Sequence, residues 1–231
     1  MNIPLSNRLK LCCSFVQPGS RVADIGCDHG YLGITLLKSG TASSVIASDV
    51  KEGPLKSAMR NAAKFAVADK ITFHLSDGVQ NIPSNFDVMV CAGMGADTII
   101  SILNAAPWLK SSNYRLILQC QSRQPELRRY LSEQGYSIVR EDLAKDGKFI
   151  YSVMEVAFQA SAPLDFAECY ISPALLHCGS RLLPDYYDRL IQGLRLTVQG
   201  LSHSNDPKLS HYQSILEELL KLEDRIHGNG S

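Results

Sequence analysis

Short polar turns that contain glycine follow the apolar runs of the sequence, and they hold the side chains best suited to chemistry. The first of these turns follows Val22–Ile25 and places Asp28 and His29 between Gly26 and Gly30. Glycine lets the backbone approach a ligand closely, and the helix that follows offers free amide groups. The turn therefore predicts a ligand-binding loop, although it lacks the G-x-G-x-x-G spacing of a dinucleotide site.

Two further turns carry carboxylates. Asp49 ends the second apolar run, 23 residues after Gly26, where an acidic side chain accepts hydrogen bonds from both ribose hydroxyls of an adenosine cofactor. Asp77 and Gly78 end the third run, where a carboxylate accepts a hydrogen bond from an exocyclic amine such as that of adenine. Nicotinamide-binding proteins share the glycine turn and the carboxylate at the end of the second run. Enzymes that use S-adenosylmethionine (SAM) more often also show the carboxylate at the end of the third run.

The fourth turn is rich in glycine and reads Cys91-Ala92-Gly93-Met94-Gly95. SAM-dependent amino-methyltransferases that act on bases often carry an Asn-Pro-Pro-aromatic tetrad at this place, and this chain does not. The glycines offer room and backbone groups instead, which suits a bulky base edge.

Each of these residues also has an ordinary structural interpretation. Asp28 can cap the helix that begins near Gly30. His29 and Tyr31 can be an exposed and a packing residue of the first helical turn, and the remaining carboxylates can belong to ordinary strand ends and turns. The recurrence of the pattern at four successive strand ends favours a binding site.

The elements that must position these turns alternate between strand and helix, which predicts a parallel sheet with crossover helices. The predicted strands are Arg21–Ile25, Val45–Asp49, Ile71–Leu75, Asp87–Cys91 and Arg115–Gln119. The predicted helices cover about residues 30–39, 53–67, 96–108 and 125–134, after a first helix near the N-terminus. Open α/β sheets bind ligands at the carboxyl ends of their strands, which is where the turns lie.

The pattern changes after Gly135. Residues 136–158 form two strand-like runs joined by Lys145-Asp146-Gly147-Lys148, which predicts an antiparallel hairpin at the sheet edge. An antiparallel last strand favours a methyltransferase over a dehydrogenase. The predicted fold class is α/β, with a Rossmann-like class I methyltransferase domain. We assign this domain to residues 1–159.

From Ala160 onward the apolar residues follow helical spacing. Two stripes predict an antiparallel helical (coiled-coil) hairpin; they are Tyr187, Leu190, Leu194, Val198 and Leu201, and Leu209, Tyr212, Leu216 and Leu219. We assign residues 160–227 to this C-terminal helical domain and 228–231 to a flexible tail. The hairpin packs onto the first domain or grips a substrate, and the sequence leaves both open.

The composition restricts the class of protein. Of 231 residues 45% are apolar, and 23 basic residues balance 23 acidic ones, so no overall field favours nucleic acid or a membrane surface. Residues 1–158 hold 17 basic and 14 acidic side chains, against 6 and 9 in 159–231. A nucleic-acid partner therefore requires a local basic patch.

Seven cysteines without a CxxC pair predict reduced thiols in a cytoplasmic protein, with neither a disulfide framework nor a metal site. The N-terminal stretch lacks a small-residue cleavage site and is interpreted as a helix, and no run has the length of a membrane span. We expect no membrane and no metal partner, and we favour a monomer.

Taken together, these motifs resemble the bacterial TrmK family over nearly the whole chain. The matching stretches are VADIGCDHGYL from Val22, the Asp49-x-x-x-Gly53-Pro54 turn, Asp77-Gly78, Ala92-Gly93-Met94-Gly95, LILQ at Leu116–Gln119, and Asp146-Gly147-Lys148. Members of this family are SAM-dependent tRNA (adenine-N1) methyltransferases, which modify adenine 22 in the D-arm region. The resemblance implies the same fold, the same cofactor and tRNA as the partner.

The resemblance also implies roles for individual residues. Catalytic roles fall to Asp28, His29 and Tyr31, and Arg8 lies near the cofactor or the RNA. The cofactor site comprises Asp24, Gly26, Cys27, His29, Asp49, Asp77, Gly78, Ala92, Gly93 and Met94. Family members often carry Gln-Pro-Asn after the fifth strand, whereas this chain reads Gln119-Cys120-Gln121-Ser122. That departure weakens the case for a base-contacting role of this loop.

The chemistry needs little more than positioning, because adenine N1 is already a nucleophile toward a sulfonium methyl group. Methylation leaves a cation on the base, and we expect Asp28 to stabilise that charge or accept a proton, with His29 positioning cofactor or base. Tyr31 is expected to stack.

A base must be unpaired to expose N1, and local positive charge must hold the RNA. Arg123, Arg128 and Arg129 cluster after the fifth strand and are the preferred patch. A second trio at helical spacing is better explained as a solvated face; it comprises Lys56, Arg60 and Lys64. The rival functions are a methyltransferase for another RNA base, a protein or a small molecule, a non-catalytic binding module, and a nicotinamide oxidoreductase.

Overall fold

The computed structural model describes residues 3–204 and 206–228. Its centre is a seven-stranded sheet in the order β3-β2-β1-β4-β5-β7-β6. The strands are β1 Ser20–Ile25, β2 Ala42–Asp49, β3 Ile71–Leu75, β4 Val88–Met94, β5 Arg115–Cys120, β6 Tyr136–Asp146 and β7 Phe149–Phe158. The first five are parallel, and β7 runs antiparallel to both β5 and β6. The Rossmann-like fold and the edge hairpin predicted from the sequence are confirmed.

Helices cover both faces of the sheet and bury their apolar stripes against it. They are α1 Asn7–Phe15, α2 Tyr31–Lys38, α3 Glu52–Lys64, α4 Ala96–Asn104 and α5 Gln124–Glu133. Two helices end earlier than the sequence pattern predicts. Helix α3 ends at Lys64, shortly before Ala66, which adopts a left-handed φ of 54°. Helix α4 ends at Asn104, and Pro107 starts a separate 3₁₀ turn, because a helix seldom continues into the residue before a proline.

The C-terminal region is helical, as the apolar spacing predicts. Its helices are α6 Pro173–Leu176, α7 Leu183–Ser204, α8 Leu209–Leu220 and α9 Glu223–Gly228. Tyr187, Leu194 and Leu219 of the predicted stripes lie in a separate apolar core between these helices. Of the predicted tail, Gly228 belongs to α9, and residues 229–231 lie outside the described residues, as does Asn205 of the loop between α7 and α8.

No helix among the described residues has the length and apolar character to cross a membrane. All seven cysteines are free, and five of them are buried.

Candidate active site

A cavity of about 310 Å³ opens at the carboxyl ends of β1 and β4. These two strands are neighbours, but the chain continues from β1 outward to β2 and β3 on one side and from β4 to β5 on the other. Open α/β sheets bind ligands at such a reversal of strand order. The lining residues are Arg8, Leu9, Asp24, Gly26, Cys27, Asp28, His29, Tyr31, Leu32, Ala92, Gly93 and Gln121.

The turn after β1 forms the floor of the cavity, and its glycine is required. Gly26 has a left-handed φ of 72°, which strains any residue with a side chain, and a Cβ built on it would also displace Cε of Met94. The amides of Gly26 and Cys27 both donate to the carbonyl of Ser48, at 2.8 and 2.9 Å. These bonds fix the turn against the end of β2, so that the next residues project into the opening.

Asp28 occupies a strained backbone conformation at the mouth of this cavity. Its φ is 50°, in the left-handed region that few non-glycine residues adopt. Its amide donates to Oδ2 of Asp49 at 3.2 Å, while its own side chain is 70% exposed. The helix-capping interpretation is wrong, because α2 is capped by Gly30 and has no side-chain cap.

His29 and Tyr31 stand beside Asp28 on the same rim. Nε2 of His29 lies 3.7 Å from Oδ2 of Asp28. The ring centroids of His29 and Tyr31 are 5.8 Å apart. The carbonyl of His29 accepts a hydrogen bond from Nδ2 of Asn61 on α3 at 2.9 Å. The structure therefore brings the three predicted catalytic residues together around one opening.

Asp24 lies at the bottom of the cavity and is 4% exposed. Its Oδ2 has no hydrogen-bond partner among the described residues. Burial raises the pKa of this carboxyl to about 7, and the negative charge of Asp49 contributes to the rise. The backbone amide of Gly33 partly opposes this rise. A buried carboxyl group with one unpaired oxygen facing a cavity is suited to a cationic group of a ligand.

The carboxyl end of β4 and the residue after β5 form the opposite wall, which the sequence predicts only in part. The amide of Gly93 donates to Oε1 of the buried Gln119 at 2.9 Å, and Gln121 lines the cavity. Three of the lining residues were not predicted from the sequence, namely Leu9, Leu32 and Gln121. The position of Gln121 directly after the fifth strand was the signal that would have found it.

Not every predicted cofactor residue reaches this cavity. Met94 contacts the floor through its closeness to Gly26, and Asp49 contacts Asp28. Asp77 is exposed after β3, two strands away from β1, and Gly78 packs against Ile102. Their contact with adenine stays a prediction.

A family model described as a methyltransferase domain matches residues 5–154, well over half of the chain. A putative tRNA methyltransferase of Mycoplasma genitalium is 36% identical over 140 residues, covering 58% of this chain and 61% of the relative. The tRNA (adenine(22)-N(1))-methyltransferase of Bacillus subtilis is 31% identical over 153 residues, covering 66% and 64%. The chain belongs to the TrmK family of methyltransferase-domain proteins.

A solved structure covers more of this TrmK-family chain than the sequence alignments do. It is a putative tRNA (m1A22) methyltransferase, Sp1610 of Streptococcus pneumoniae, in complex with S-adenosyl-L-methionine. It has 29% sequence identity and a TM-score of 0.82, and the match covers 94% of this chain and 99% of that one. The sequence alignments, in contrast, reach less than two-thirds of the length of the two curated relatives.

Among the cationic residues of this family member, Arg8 lines the cavity wall, and its contact with the cofactor or the RNA stays a prediction. Asp146, at the end of β6, accepts hydrogen bonds from the amides of Asn7 and Arg8 at 2.8 and 3.2 Å and pairs with Nη1 of Arg8 at 3.4 Å. The guanidinium of Arg8 also lies over the ring of Tyr151, 5.6 Å from the centroid. Nε of Arg8 is buried and has no partner in the described chain, which leaves a donor for a ligand.

The predicted patch after β5 is wrong for Arg128. This side chain is fully buried and pairs with Glu141 at 2.6 Å. It also donates to the carbonyls of Cys169 and Tyr170, at 2.9 and 3.2 Å. Arg128 therefore joins α5 and β6 to the start of the helical region and cannot contact RNA.

The other two arginines of the patch are exposed but have acidic neighbours. Arg123 pairs with Asp97 at 2.8 Å and with Glu126 at 3.2 Å. Arg129 lies 3.9 Å from Glu133. Their positive charge is largely compensated, so a contribution to RNA binding stays a prediction for these two residues. Lys56, of the second trio, is exposed and pairs with Glu52 in the same way.

The raised pKa of Asp24 predicts an unusual dependence of stability on pH. The folded protein holds the proton to about pH 7, whereas the unfolded chain releases it near the ordinary value of 3.8. This contribution to stability is complete below pH 3.8 and is lost as the pH rises through 7, by at most about 1.4 kcal/mol per pH unit. Asp24→Asn should remove this slope in urea unfolding measured from pH 5 to 8. The exposed Asp69→Asn variant is the control, and equal slopes for all three proteins would contradict the assignment.

Proposed function

We propose that the protein transfers a methyl group from SAM to N1 of an adenine in the D-arm region of tRNA. The target base is adenine 22, by analogy with the Bacillus subtilis relative of that name. The observation that carries the proposal is the strained, solvent-facing Asp28 at the mouth of the cavity, held by the Asp49 carboxylate. Strain at a surface carboxylate is unfavourable for folding and points to a functional role.

The cavity residues fit SAM. The unpartnered Oδ2 of Asp24 matches an α-ammonium group, and the free Nε of Arg8 matches a carboxylate. Each oxygen of Asp49 accepts one backbone amide, which leaves further lone pairs for ribose hydroxyls. When bound, SAM supplies an electrophilic methyl group on its sulfonium centre.

The residues on the rim then act on the base. Adenine N1 needs no activation, so the principal task is to hold it in line with the methyl group. The Asp28 carboxylate stabilises the positive charge that forms on the base, or accepts a proton from its N6 amine. Tyr31 offers a face for stacking, and His29, whose Nε2 lies 3.7 Å from Oδ2 of Asp28, positions the cofactor or the base.

The buried thiols fit this role of positioning without covalent catalysis. Burial raises the pKa of Cys27, which lines the cavity, and of Cys91 on β4. A protonated thiol is a poor nucleophile. Seven free thiols also suit a reducing compartment, so we assign the activity to the cytoplasm of a bacterial cell.

Two measurements test the proposal. Calorimetry should detect binding of SAM and S-adenosylhomocysteine and no binding of a nicotinamide dinucleotide. Transfer of labelled methyl to bulk tRNA, followed by reverse transcription, should give a new stop at one adenine, because N1-methylation blocks base pairing. If the protein binds SAM but labels only protein or small molecules, tRNA is not its substrate. If it labels nothing, it is not a methyltransferase.

A further inference from the structure

The turn that joins β6 to β7 presents an exposed aromatic ring and several cationic side chains next to the candidate active site. We call Lys145, Lys148, Phe149 and Arg189 the hairpin-tip patch. The ring of Phe149 is 53% exposed, and Nζ of Lys148 lies 5.3 Å from its centroid. An isolated exposed phenylalanine is common on protein surfaces, so its neighbours decide what it means.

A row of side chains leads from this ring into the cavity. Phe149 and Tyr151 lie on the same face of β7, with their ring centroids 6.0 Å apart. The guanidinium of Arg8 lies over the Tyr151 ring, 5.6 Å from its centroid, and Arg8 lines the cavity. The row therefore connects the solvent-facing tip of the hairpin to the place where the target base is expected.

The charges around the row are suited to phosphate. Arg189 of α7 donates to the carbonyl of Lys148, which brings its cationic side chain to the tip, and no carboxylate partner is seen for Lys148 or Arg189 among the described residues. The carboxylates nearby are Asp146, which is bound to Arg8, and Asp185, which lies 4.0 Å from Nζ of Lys145. Cationic groups thus outnumber carboxylates at the tip, although the whole chain is neutral.

We propose that the hairpin-tip patch binds an unpaired nucleotide of the tRNA next to the target adenine, with its base stacked on Phe149 and its phosphate at Lys148. Aromatic rings flanked by cations hold single-stranded RNA in this way, and stacking accepts any base. This inference rests on the proposed function, since it assigns the substrate contact of the same site. It gives the C-terminal helix α7 a share in substrate binding through Arg189.

Phe149→Ala should raise KM for tRNA about 10-fold, the effect of losing one stacked base, with SAM affinity unchanged. Phe149→Trp should keep the wild-type KM. Val139→Ala is the matched control, because Val139 is also exposed, at 39%, but lies on β6 about 23 Å from the tip at 3.3 Å per residue. Lys148→Ala should reduce the slope of log Kd against log salt by about 1.

A second measurement does not depend on turnover. Benzoylphenylalanine in place of Phe149 should crosslink to tRNA under ultraviolet light, and the same residue in place of Val139 should not. The inference would be overturned, and the proposed function would stand, if three results were found together. The wild-type enzyme would methylate tRNA, the Phe149→Ala variant would have an unchanged KM, and no crosslink would form at position 149. A crosslink at position 149 without any methyl transfer would support the contact while refuting the proposed reaction.

Discussion

Replacing Asp28 by asparagine is expected to lower the turnover of methyl transfer by about 100-fold or more, while SAM binding stays within a few-fold of wild type. Asparagine tolerates the left-handed backbone that Asp28 adopts at φ 50°, so the substitution removes the charge and keeps the loop. The expected loss corresponds to one group that stabilises charge or accepts a proton in the transition state. Single-turnover kinetics with calorimetry of SAM would measure both quantities.

Asp28→Gly separates function from stability. Glycine adopts a positive φ without steric cost, and the amide that Asp49 binds is retained. This variant should be as stable as the wild type or more stable by about 0.5 kcal/mol, yet as inactive as the asparagine variant. Wild-type turnover in either variant would show that Asp28 is not catalytic.

Arg128→Ala is expected to lower the free energy of unfolding by about 3 to 5 kcal/mol, because it leaves Glu141 buried without its partner. The adjacent Arg129→Ala is a control on the same helix, and since Arg129 is exposed its effect should stay within about 0.5 kcal/mol. Urea unfolding of both variants would measure the difference. Equal effects would contradict the structural role of the buried pair.

The double variant Arg128→Met/Glu141→Leu gives a second test of that pair. Replacing both charges by apolar groups removes the unpaired charge and should recover part of the lost stability. Recovery will be incomplete, because Ser172 donates to Glu141 at 2.6 Å and the carbonyls of Cys169 and Tyr170 accept from Arg128. A double variant no more stable than Arg128→Ala would mean that the carbonyl contacts dominate.

Local patterns were sufficient to predict the first layer of the site. The placement of Asp28 and His29 after one strand and of Gly93 at the end of another follows from the rule that parallel strands end at one edge. Asp24 lies within the first of these strands and is implied only by the family resemblance. Strand order was not accessible to the same reasoning. It places β3 two positions from β1, which is why Asp77 lies apart from the cavity while the carboxylate of Asp49 meets the Asp28 turn.

The error at Arg128 has a different physical origin. Its neighbours Leu127 and Leu131 are buried on α5, so the helical period already placed Arg128 close to the apolar face. A charged residue there requires a buried partner, and that partner, Glu141, is supplied by β6 13 residues later. Pairing across elements of this kind is decided by tertiary packing, and sequence spacing alone gives no measure of it.

The bonds between Asp146 and the start of α1 join residues 138 and 139 positions apart. During synthesis from the N-terminus, Arg8 is therefore translated well before Asp146 and acquires its holding carboxylate only after β1 and β4 have been translated. The order of translation thus completes the floor of the site before the wall that carries Arg8. A nascent chain that ends before Asp146 is expected to lack an ordered Arg8 even where β1 and β4 have paired.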